Sequence, residues 1–394
     1  MDTGAQAWNS EYSTIDSGIL TSGALFCKKY FCENDSIAKY ADLLWESIDW
    51  SKSIQDPTTG GIFLEMLENG EGKPGAVTLP FNEYMIVAWL AMQQEMDNPG
   101  PATELWNNHY ADPLNLPTSD YQGISVLSDN PNNFLSSFVF QFPYYLCHHF
   151  TTDTDYLAFF DHARRADSLW WENENVGASY QWGLGAGSSN LPGGYHPDAI
   201  NNNPTHMYSP HIIAGFLPVY QEGAMDLLEL YQNGEGIYTL PNANADTILW
   251  RKSLDEPAWH SNELQGIDYS SMLLGLASLP EFLGVGFFAE FNDFFSGPCA
   301  TPTGLVDISR EETAMLLFPN PTTSAFEVTI DHPSMGPFTL QLFDITGRGI
   351  LQRHSTKTTV KHTESLDLAH LPVGLYFLEV QIEGQRYSEV VVKE

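Results

Sequence analysis

The hydrophobic pattern of this 394-residue chain changes once, near residue 300. Before that point apolar residues recur every three or four positions, as on one face of a helix, and all ten tryptophans lie between Trp8 and Trp259. From Phe318 onward the chain contains no tryptophan and alternates apolar with polar residues, as strands do. We therefore predict a mainly helical domain followed by a small β-sandwich.

Helix-start patterns support the first part of this prediction. Residues 14–31 place apolar side chains on one stripe, and Ser13 with Asp16 fits a capping box at its start. Thr152 and Asp155 fit the same pattern before a later helix. Further helices are predicted at about 36–50, 81–96, 101–110, 134–150, 153–171, 208–231 and 264–279.

Long loops rich in glycine and proline separate these helices, at 51–80, 111–133, 172–206 and 233–260. Helices joined alternately by short and long loops are typical of hairpins stacked in a ring, where the long loops gather at one end and build a site. The loops carry Trp, Tyr, Asn, His and acidic residues, a mixture that suits sugar binding. Loops that are merely solvated would have the same composition.

The charge of the chain excludes several classes of partner. It has 50 acidic residues against 16 Lys and Arg, a formal charge of −34. Such a surface repels phosphate, so we expect no binding to nucleic acid or to anionic membranes, whereas a neutral substrate is suitable. No apolar run is long enough for a membrane-spanning helix. The first residues lack the features of a signal peptide, so either the protein is cytoplasmic or its start is truncated.

Cysteines and known motifs indicate neither a metal site nor a cofactor. The four cysteines are too few and too scattered for a disulfide scaffold or a zinc site, and we expect four ordinary thiols. Cys27 and Cys32 lie five apart on a predicted helix, a poor spacing for a bridge. We find no phosphate loop, zinc-protease motif or nucleophile elbow.

The tail carries a specific set of blocks: FPNPTTSAFEVTI, LQLFDITGRGIL, LDLAHLPVGLYFLEVQIEGQ and the terminal VVVKE. Residues 316–394 thus resemble the C-terminal sorting domain of the Bacteroidetes type IX secretion system. The resemblance implies contact with that secretion machinery, export, and a secreted or outer-membrane surface location. Because this route needs a signal peptide, it also implies a truncated start. Residues 1–296 are then the helical domain and 297–315 a linker.

The helical part carries ordered blocks of its own. They include YSTIDSGILTSGALFCKKYF (12–31), PFNEYMIVAWLA (80–91), FFDHARRADSLWWENEN (159–175), WGLGAG (182–187), GGYH (193–196) and GIDYSSMLLGLASL (266–279). This part resembles the bacterial glucoamylase-like family, which includes endo-β-1,2-glucanase-type (α/α)6 glycoside hydrolases. The resemblance implies an (α/α)6-toroid-like domain, N-terminally incomplete, that cleaves a neutral glucan, β-1,2-glucan first. The family shows Thr-Ala-Ser-Asp where GAGSSN stands here, which favours an alternative, a catalytically inactive surface glycan-binding protein or remnant.

Glycoside hydrolysis needs two carboxyl groups, one acid and one base or nucleophile. Glu172 follows Trp170 and Trp171, whose indoles would desolvate it and keep it protonated, and the resemblance places it at an acidic position of its block. It is our candidate general acid, or else a solvated glutamate. The resemblance makes Asp268 the base or a sugar ligand, whereas its place at a helix start also suits a cap.

Candidate substrate-binding residues complete the predicted site. By resemblance Asp16 lies near the pocket floor, although it can also be the capping-box partner of Ser13. Glu83 opens an apolar helix and lies either at its wet end or in a cavity. Gln141 is either a polar sugar ligand or a satisfied core amide. The aromatic and imidazole candidates for sugar contacts are Trp171, Trp182, Tyr195, His196, Tyr208 and His211.

Overall fold

The computed structural model describes residues 11–239, 247–261, 263–296, 314–344, 348–382 and 385–393. The chain divides into two compact units, Met1–Gly304 and Leu305–Glu394. Residues 297–313 of the predicted linker lie outside the described residues, so the predicted boundaries 1–296 and 316–394 stay predictions. The first described strand of the second unit begins at Ala314, inside the predicted linker.

The first unit is mainly helical, as predicted. Its α-helices are α1 (Thr14–Tyr30), α2 (Asp35–Glu46), α3 (Met85–Gln94), α4 (Pro101–Leu105), α5 (Phe138–Leu146), α6 (His148–Thr152), α7 (Thr154–Glu174), α8 (Pro210–Gly215), α9 (Gly223–Gln232), α10 (Gly266–Ala277) and α11 (Gly286–Phe291). A π-helical turn, Trp106–Tyr110, continues α4, and 3-10 turns lie at Trp50–Ser53 and Pro113–Asn115.

Two predicted helices are each divided in the structure. The prediction at 134–150 becomes α5 and α6, because Cys147 has extended backbone between them. The prediction at 208–231 becomes α8 and α9, because the chain turns after Gly215 and Pro218 cannot donate a helical hydrogen bond. Apolar periodicity continues across both breaks, so it does not reveal them.

Side chains cap the starts of α1, α2 and α7, and one of the two predicted caps is correct. Ser13 caps α1, and its Oγ accepts a hydrogen bond from the Asp16 backbone N–H at 3.2 Å. The predicted cap Thr152 is wrong, since its hydroxyl donates to the His148 carbonyl within α6. Asp153 caps α7 instead, and its Oδ1 accepts from the backbone N–H groups of Asp155 and Tyr156 at 2.9 and 3.0 Å.

The helices pack in pairs around a central one. The middle of α5, from Val139 to Tyr145, is buried on all sides, and α5 contacts α1, α3, α7, α8 and α10. The helices α2, α4 and α9 pack against α1, α3 and α8. A helix that is apolar all round belongs in the core of such an assembly. The paired, toroid-like helical architecture predicted above is therefore confirmed.

Short hairpins occupy the long loops of this unit. The strands are β1 (Tyr12–Ser13), β2 (Ile54–Asp56), β3 (Gly61–Phe63), β4 (Glu65–Met66), β5 (Val77–Thr78), β6 (Thr118–Tyr121), β7 (Ile124–Leu127), β8 (Ala186–Ser188), β9 (Tyr195–Pro197), β10 (Met207–Tyr208), β11 (Ile237–Thr239), β12 (Thr247–Leu249) and β13 (Lys252–Ser253). In the hairpin most relevant to function, β8 pairs antiparallel with β9 and Gly187 faces His196.

The second unit is the predicted β-sandwich. Its strands are β14 (Ala314–Phe318), β15 (Ala325–Asp331), β16 (Gly336–Asp344), β17 (Gly349–Lys357), β18 (Lys361–Asp367), β19 (Gly374–Ile382) and β20 (Gln385–Lys393). They form two antiparallel sheets, ordered β14-β15-β18 and β17-β16-β19-β20. Inward-facing residues of both sheets, such as Val328, Leu340 and Leu378, share one buried core.

The expectation of four ordinary thiols is wrong for Cys32, which takes part in a disulfide bond. Cys27 and Cys147 are free thiols, and Cys299 lies outside the described residues. A disulfide needs two Cα atoms about 4.4–6.8 Å apart in space. Spacing along the chain does not by itself give this distance.

Within the described residues, no helix combines the length and apolar character needed to cross a membrane. In that same part of the chain, no group of three or more His, Cys, Asp and Glu side chains is arranged to hold a metal ion.

Candidate active site

Three acidic residues mark the starts of three packed helices. Asp16 lies in the first turn of α1, Glu83 in the turn before α3, and Asp268 in the first turn of α10. Burial, followed by the charges of Glu83 and Asp16, raises the pKa of Tyr84. Burial, followed by charges that include Asp268 and Glu83, raises the pKa of Tyr195. The starts of α1, α3 and α10 therefore lie at the same end of the helical unit.

Asp268 is buried beside a cation. It is 5% exposed, and burial raises its pKa to about 6, against the opposing effect of the Arg251 charge. Arg251 is fully buried and donates a hydrogen bond to Asp198. Burial likewise raises the pKa of Asp198 to about 6, with Arg251 and His196 opposing it. The cluster thus contains one cation among several acids.

Glu83 is the second acid at the end of the helical unit where α1, α3 and α10 begin. It is partly buried, and burial raises the pKa of its carboxyl group. Glu83 also contributes, after burial, to the raised pKa of Tyr110 in the core, which favours an inward-facing carboxyl group over one at the solvated end of the helix. One cation cannot neutralise Glu83, Asp198 and Asp268 together, so protonation of at least one carboxyl is favoured. A carboxylic acid beside a carboxylate is the pair that general acid–base catalysis requires.

The glycine-rich segment beside this cluster allows a close approach of backbone to side chain. Gly187 has φ +142°, and a Cβ there would lie 2.6 Å from Arg251 Nη1. A Cβ at Gly185 would lie 2.8 Å from His211 Nε2. Gln265, which precedes α10, donates from Nε2 to Ser188 Oγ at 2.6 Å. The segment therefore packs directly against the start of α10 and against Arg251.

The facing strand presents two polar rings. Tyr195 is 56% exposed, and His196 is partly buried with its Nδ1 2.8 Å from Asp198 Oδ1. Because a carboxylate only accepts hydrogen bonds, Nδ1 carries the proton, and Nε2 of the neutral ring is an acceptor. An exposed aromatic ring next to a hydrogen-bond acceptor can contact the face and a hydroxyl of a sugar.

Several buried polar atoms around Arg251 have no hydrogen-bond partner among the described residues. They are Nε and Nη1 of Arg251, both ring nitrogens of His211 and Oε1 of Gln265. His211 stacks on Trp250 with ring centroids 4.6 Å apart, and burial lowers its pKa, so the ring is neutral. Buried polar groups normally find partners, so a polar ligand or water is the expected one.

The structure does not place Glu172 in this cluster. Glu172 is exposed at the C-terminal end of α7, beside Trp171 in a shallow pocket of about 250 Å³. The neighbouring Trp170 and Trp171 are buried, whereas Glu172 itself is exposed to solvent. The desolvation on which its assignment as general acid depended is therefore absent.

Three aromatic candidates belong to the core. Trp171, Trp182 and Tyr208 are all at most 4% exposed. Trp182 donates from Nε1 to Asp226 Oδ2 at 2.8 Å and stacks on Phe216. Protein atoms cover the ring faces of all three, so in this structure they cannot stack on a sugar, and their predicted sugar contacts are corrected.

The two remaining candidates, Gln141 and Asp16, differ in burial. Gln141 is buried and donates from Nε2 to the Ile212 carbonyl at 2.9 Å, which joins α5 to α8, while its Oε1 has no partner among the described residues. Asp16 is exposed at the start of α1, where it has the capping-box position and also lies near Tyr84.

Sequence reasoning missed Asp198 and Arg251, which are central to the cluster. A weak signal existed for each: Asp198 follows His196 by two residues, and Arg251 is one of few basic residues, in an apolar context next to Trp250. Neither signal indicates that the two side chains meet, because 53 positions separate them in sequence.

Comparison with known proteins supports both parts of the architecture. Residues 316–394 match the family described as secretion system C-terminal sorting domain, which indicates a secreted or cell-surface protein. This match confirms the resemblance of the tail. No curated protein matches the chain.

Solved structures share the helical fold. An endo-β-1,2-glucanase from Chitinophaga pinensis in complex with sophorotriose and glucose is 16% identical with a TM-score of 0.57, covering 73% of this chain and 68% of that one. A protein assigned as a glucoamylase from Bacteroides uniformis is 18% identical with a TM-score of 0.59, covering 75% and 72%. A β-1,2-glucanase from Parabacteroides distasonis is 19% identical with a TM-score of 0.55, covering 73% and 43%. The helical unit thus has the glucoamylase-like (α/α)6-toroid fold.

Proposed function

We propose that this protein is a secreted or cell-surface glycoside hydrolase that cleaves a neutral glucan with Asp268 and Glu83 as its two carboxyl groups. The observation that carries the proposal is that both acids are desolvated and that the charges of both act on the exposed Tyr195, with Asp268 beside the buried Arg251. Glu83 replaces Glu172 as the proposed acid, because Glu172 is exposed.

The two acids take different roles because their surroundings differ. Arg251 opposes the effect of burial on Asp268, whose pKa of about 6 leaves it ionised at neutral pH, as a base or nucleophile must be. Burial raises the pKa of Glu83, which favours the protonated form that a general acid needs. In the proposed step Glu83 gives its proton to the leaving glycosidic oxygen. Asp268 either takes a proton from the attacking water or itself attacks the sugar.

The surrounding charge supports a neutral substrate. A cluster with more acids than cations, in a chain of charge −34, repels uronic acids and phosphorylated sugars. Tyr195 offers an exposed ring and His196 an acceptor nitrogen, both suited to uncharged hydroxylated rings. The glucanase neighbours share only the fold, and they make β-1,2-glucan the first substrate to test.

The tail and the disulfide support export. A sorting-domain match at 316–394 fits secretion through the type IX machinery, which we propose as the partner of this unit. Disulfide bonds persist mainly in oxidising compartments outside the cytoplasm, and Cys32 forms one.

The test is release of reducing sugar from β-1,2-glucan by the wild type and by two variants, Asp268→Asn and Glu83→Gln. Each variant removes one proton-transfer group at nearly constant shape, so we expect a loss of about 100-fold or more in kcat. Glu172→Gln is the matched control and should keep full activity. Unchanged activity in both site variants, or loss in Glu172→Gln, would contradict the proposed pair.

The same assay addresses the second hypothesis, an inactive glycan-binding protein. The segment GAGSSN, which lies buried against Arg251 and His211, has no acidic residue where the family has one, and this favours the alternative. Oligosaccharide binding by calorimetry, without turnover of any neutral glucan, would support that alternative against the hydrolase.

A further inference from the structure

A buried carboxyl group outside the proposed acid pair connects three segments of the helical unit. Asp167 lies in α7 and is 1% exposed. Its Oδ2 accepts hydrogen bonds from Ser137 Oγ at 2.6 Å and from the Leu184 backbone N–H at 2.8 Å. Ser137 directly precedes α5, and Leu184 lies in the glycine-rich segment before β8. One oxygen atom therefore ties α7 to both.

A second layer of hydrogen bonds continues from these groups to Asp198. The Ser137 N–H donates to the Leu184 carbonyl at 2.9 Å. The Ser136 hydroxyl donates to the carbonyls of Leu184 and Asp198, at 3.2 and 2.7 Å. The Asp198 N–H donates to the Gly185 carbonyl at 3.3 Å. The backbone of Asp198 is thus held on both sides by groups that Asp167 positions.

Asp198 in turn orients two side chains of the candidate site. Its Oδ1 lies 2.8 Å from His196 Nδ1, and its Oδ2 accepts from the Arg251 guanidinium. Arg251 is the charge that opposes the burial effect on Asp268. A displacement of the Asp198 backbone would therefore move the ring of His196 and the charge of Arg251 together.

We propose that Asp167 is a positioning residue, which through Ser136, Ser137 and Leu184 holds Asp198, and with it His196 and Arg251, in place at the candidate site. The proposal rests on the proposed function where the test measures activity. A second measurement, of the His196 resonances, does not depend on that function. Among the described residues Asp167 has no hydrogen bond to Glu83 or Asp268, and its proposed role involves no proton transfer.

The hydrogen bonds of Asp167 require an acceptor oxygen but not a negative charge. Oδ2 accepts both hydrogen bonds, while Oδ1 has no partner among the described residues. An asparagine whose carbonyl oxygen takes the place of Oδ2 keeps both bonds, although its NH2 group then lies where Oδ1 has no partner and should cost some stability. An alanine leaves the Leu184 N–H and the Ser137 hydroxyl unpaired in a buried place, which is costly. Asp167→Asn is therefore the conservative variant that should rescue the function lost in Asp167→Ala.

Glu95 provides a control for a purely structural role. It is 8% exposed, and its Oε2 accepts from the backbone N–H groups of Gly100 and Thr103, at 3.0 and 2.8 Å. Glu95→Ala thus also removes a buried carboxyl that accepts two hydrogen bonds. Its partners lie at the start of α4, and none belongs to the Asp167 network.

The experiment compares Asp167→Ala, Asp167→Asn and Glu95→Ala in the full chain. It measures kcat and KM on β-1,2-glucan, and the 15N resonances of the His196 ring, assigned by their absence from His196→Gln. In Asp167→Ala we expect kcat to fall about 10- to 100-fold with a smaller change in KM, and the His196 resonances to shift. Asp167→Asn should keep the kcat and the His196 resonances of the wild type, and Glu95→Ala should lose stability while kcat and the His196 resonances stay unchanged.

Unshifted His196 resonances in folded Asp167→Ala would overturn the proposal, as would equal effects in Asp167→Ala and Glu95→Ala. If Asp167→Ala does not fold, Ser136→Ala, which removes only the bonds to Leu184 and Asp198, must shift the His196 resonances, and unshifted resonances in that variant overturn the proposal. If the wild type has no turnover, the hydrolase proposal fails, but the His196 resonances still decide the role of Asp167.

Discussion

At the level of single residues, burial decides which acids of this chain can do chemistry. Asp268 and Glu172 both stand next to apolar or aromatic sequence. Asp268 is covered at a helix start, and burial raises its pKa to about 6, whereas Glu172 is exposed at a helix end. Water stabilises an exposed carboxylate, so a proton donor or acceptor tuned to neutral pH is expected at the buried position.

The close approach of Gly187 to Arg251 gives a prediction at this scale. Gly187→Ala places a methyl group 2.6 Å from Arg251 Nη1, too close for either atom to stay in place, and it also forces a side chain into φ +142°. Displacement of the guanidinium should reduce kcat on β-1,2-glucan by about tenfold or more. The measurement is steady-state kinetics together with the melting temperature of each variant.

Gly193→Ala separates backbone strain from displacement of Arg251. Gly193 also has a positive φ, +101°, but a Cβ there meets nothing within 4 Å. It should lose stability from strain alone, on the order of 1 kcal/mol, and keep its kcat. An equal fall of kcat in the two variants would show that contact with Arg251 is not the cause.

At the level of elements, local sequence fixed the beginnings of helices better than their ends and breaks. The cap at Ser13 and the apolar stripe of α1 follow directly from residue spacing. The division of two predicted helices at Cys147 and after Gly215 does not, because the apolar side chains on both sides face the same core. Capping is short-range chemistry, whereas the end of a helix inside a core depends on what packs against it.

The corrected cap of α7 gives the prediction at this scale. Asp153→Ala removes the side chain that accepts from the N–H groups of Asp155 and Tyr156, and should destabilise the helical unit by about 1 kcal/mol. Asp155→Ala, in the exposed first turn, removes only a favourable charge near the helix start and should cost about 0.5 kcal/mol or less. Urea unfolding followed by tryptophan fluorescence reports on this unit, since every tryptophan precedes residue 260. A larger loss in Asp155→Ala than in Asp153→Ala would contradict the assigned cap.

At the level of the whole molecule, the buried acids make the folded state less stable as pH rises towards neutral. Burial raises the pKa of Asp167 to about 7, and those of Asp198 and Asp268 to about 6. Between the unfolded value of 3.8 and these values the folded state binds more protons than the unfolded state. Stability from these groups is therefore present at low pH and is lost as pH rises through about 6 to 7. Burial lowers the pKa of His211 and of His149, which opposes this trend below about pH 6.5.

We therefore expect the helical unit to melt at a higher temperature at pH 6 than at pH 8. One pKa unit corresponds to about 1.4 kcal/mol, and each kcal/mol shifts the melting temperature of a unit this size by roughly 2–4 °C. Differential scanning calorimetry at several pH values measures the effect. High salt screens the surface charge of −34 but not the buried groups, so the trend should persist in 0.5 M salt and become shallower in Asp167→Asn. A melting temperature that is independent of pH in high salt would contradict the contribution of the buried acids.

The sequence by itself determined the two kinds of secondary structure, most helix positions, the β-sandwich, the cap at Ser13 and the place of Asp268 at a helix start. These are local properties, set by the spacing of apolar residues, by turn residues and by side chains that bond to nearby backbone. The sorting-domain resemblance of the tail was also legible in its ordered blocks, and the family match confirms it.

Only the tertiary structure decided which acidic side chains are buried and desolvated. Asp198 and Arg251 are 53 positions apart and meet inside the protein, while Glu172, beside two tryptophans in sequence, remains in solvent. The disulfide of Cys32 likewise needed the folded chain to be recognised. Desolvation and ion pairing depend on distances between segments that are remote in sequence, and those distances follow from the packing of the helices around α5, not from any local pattern.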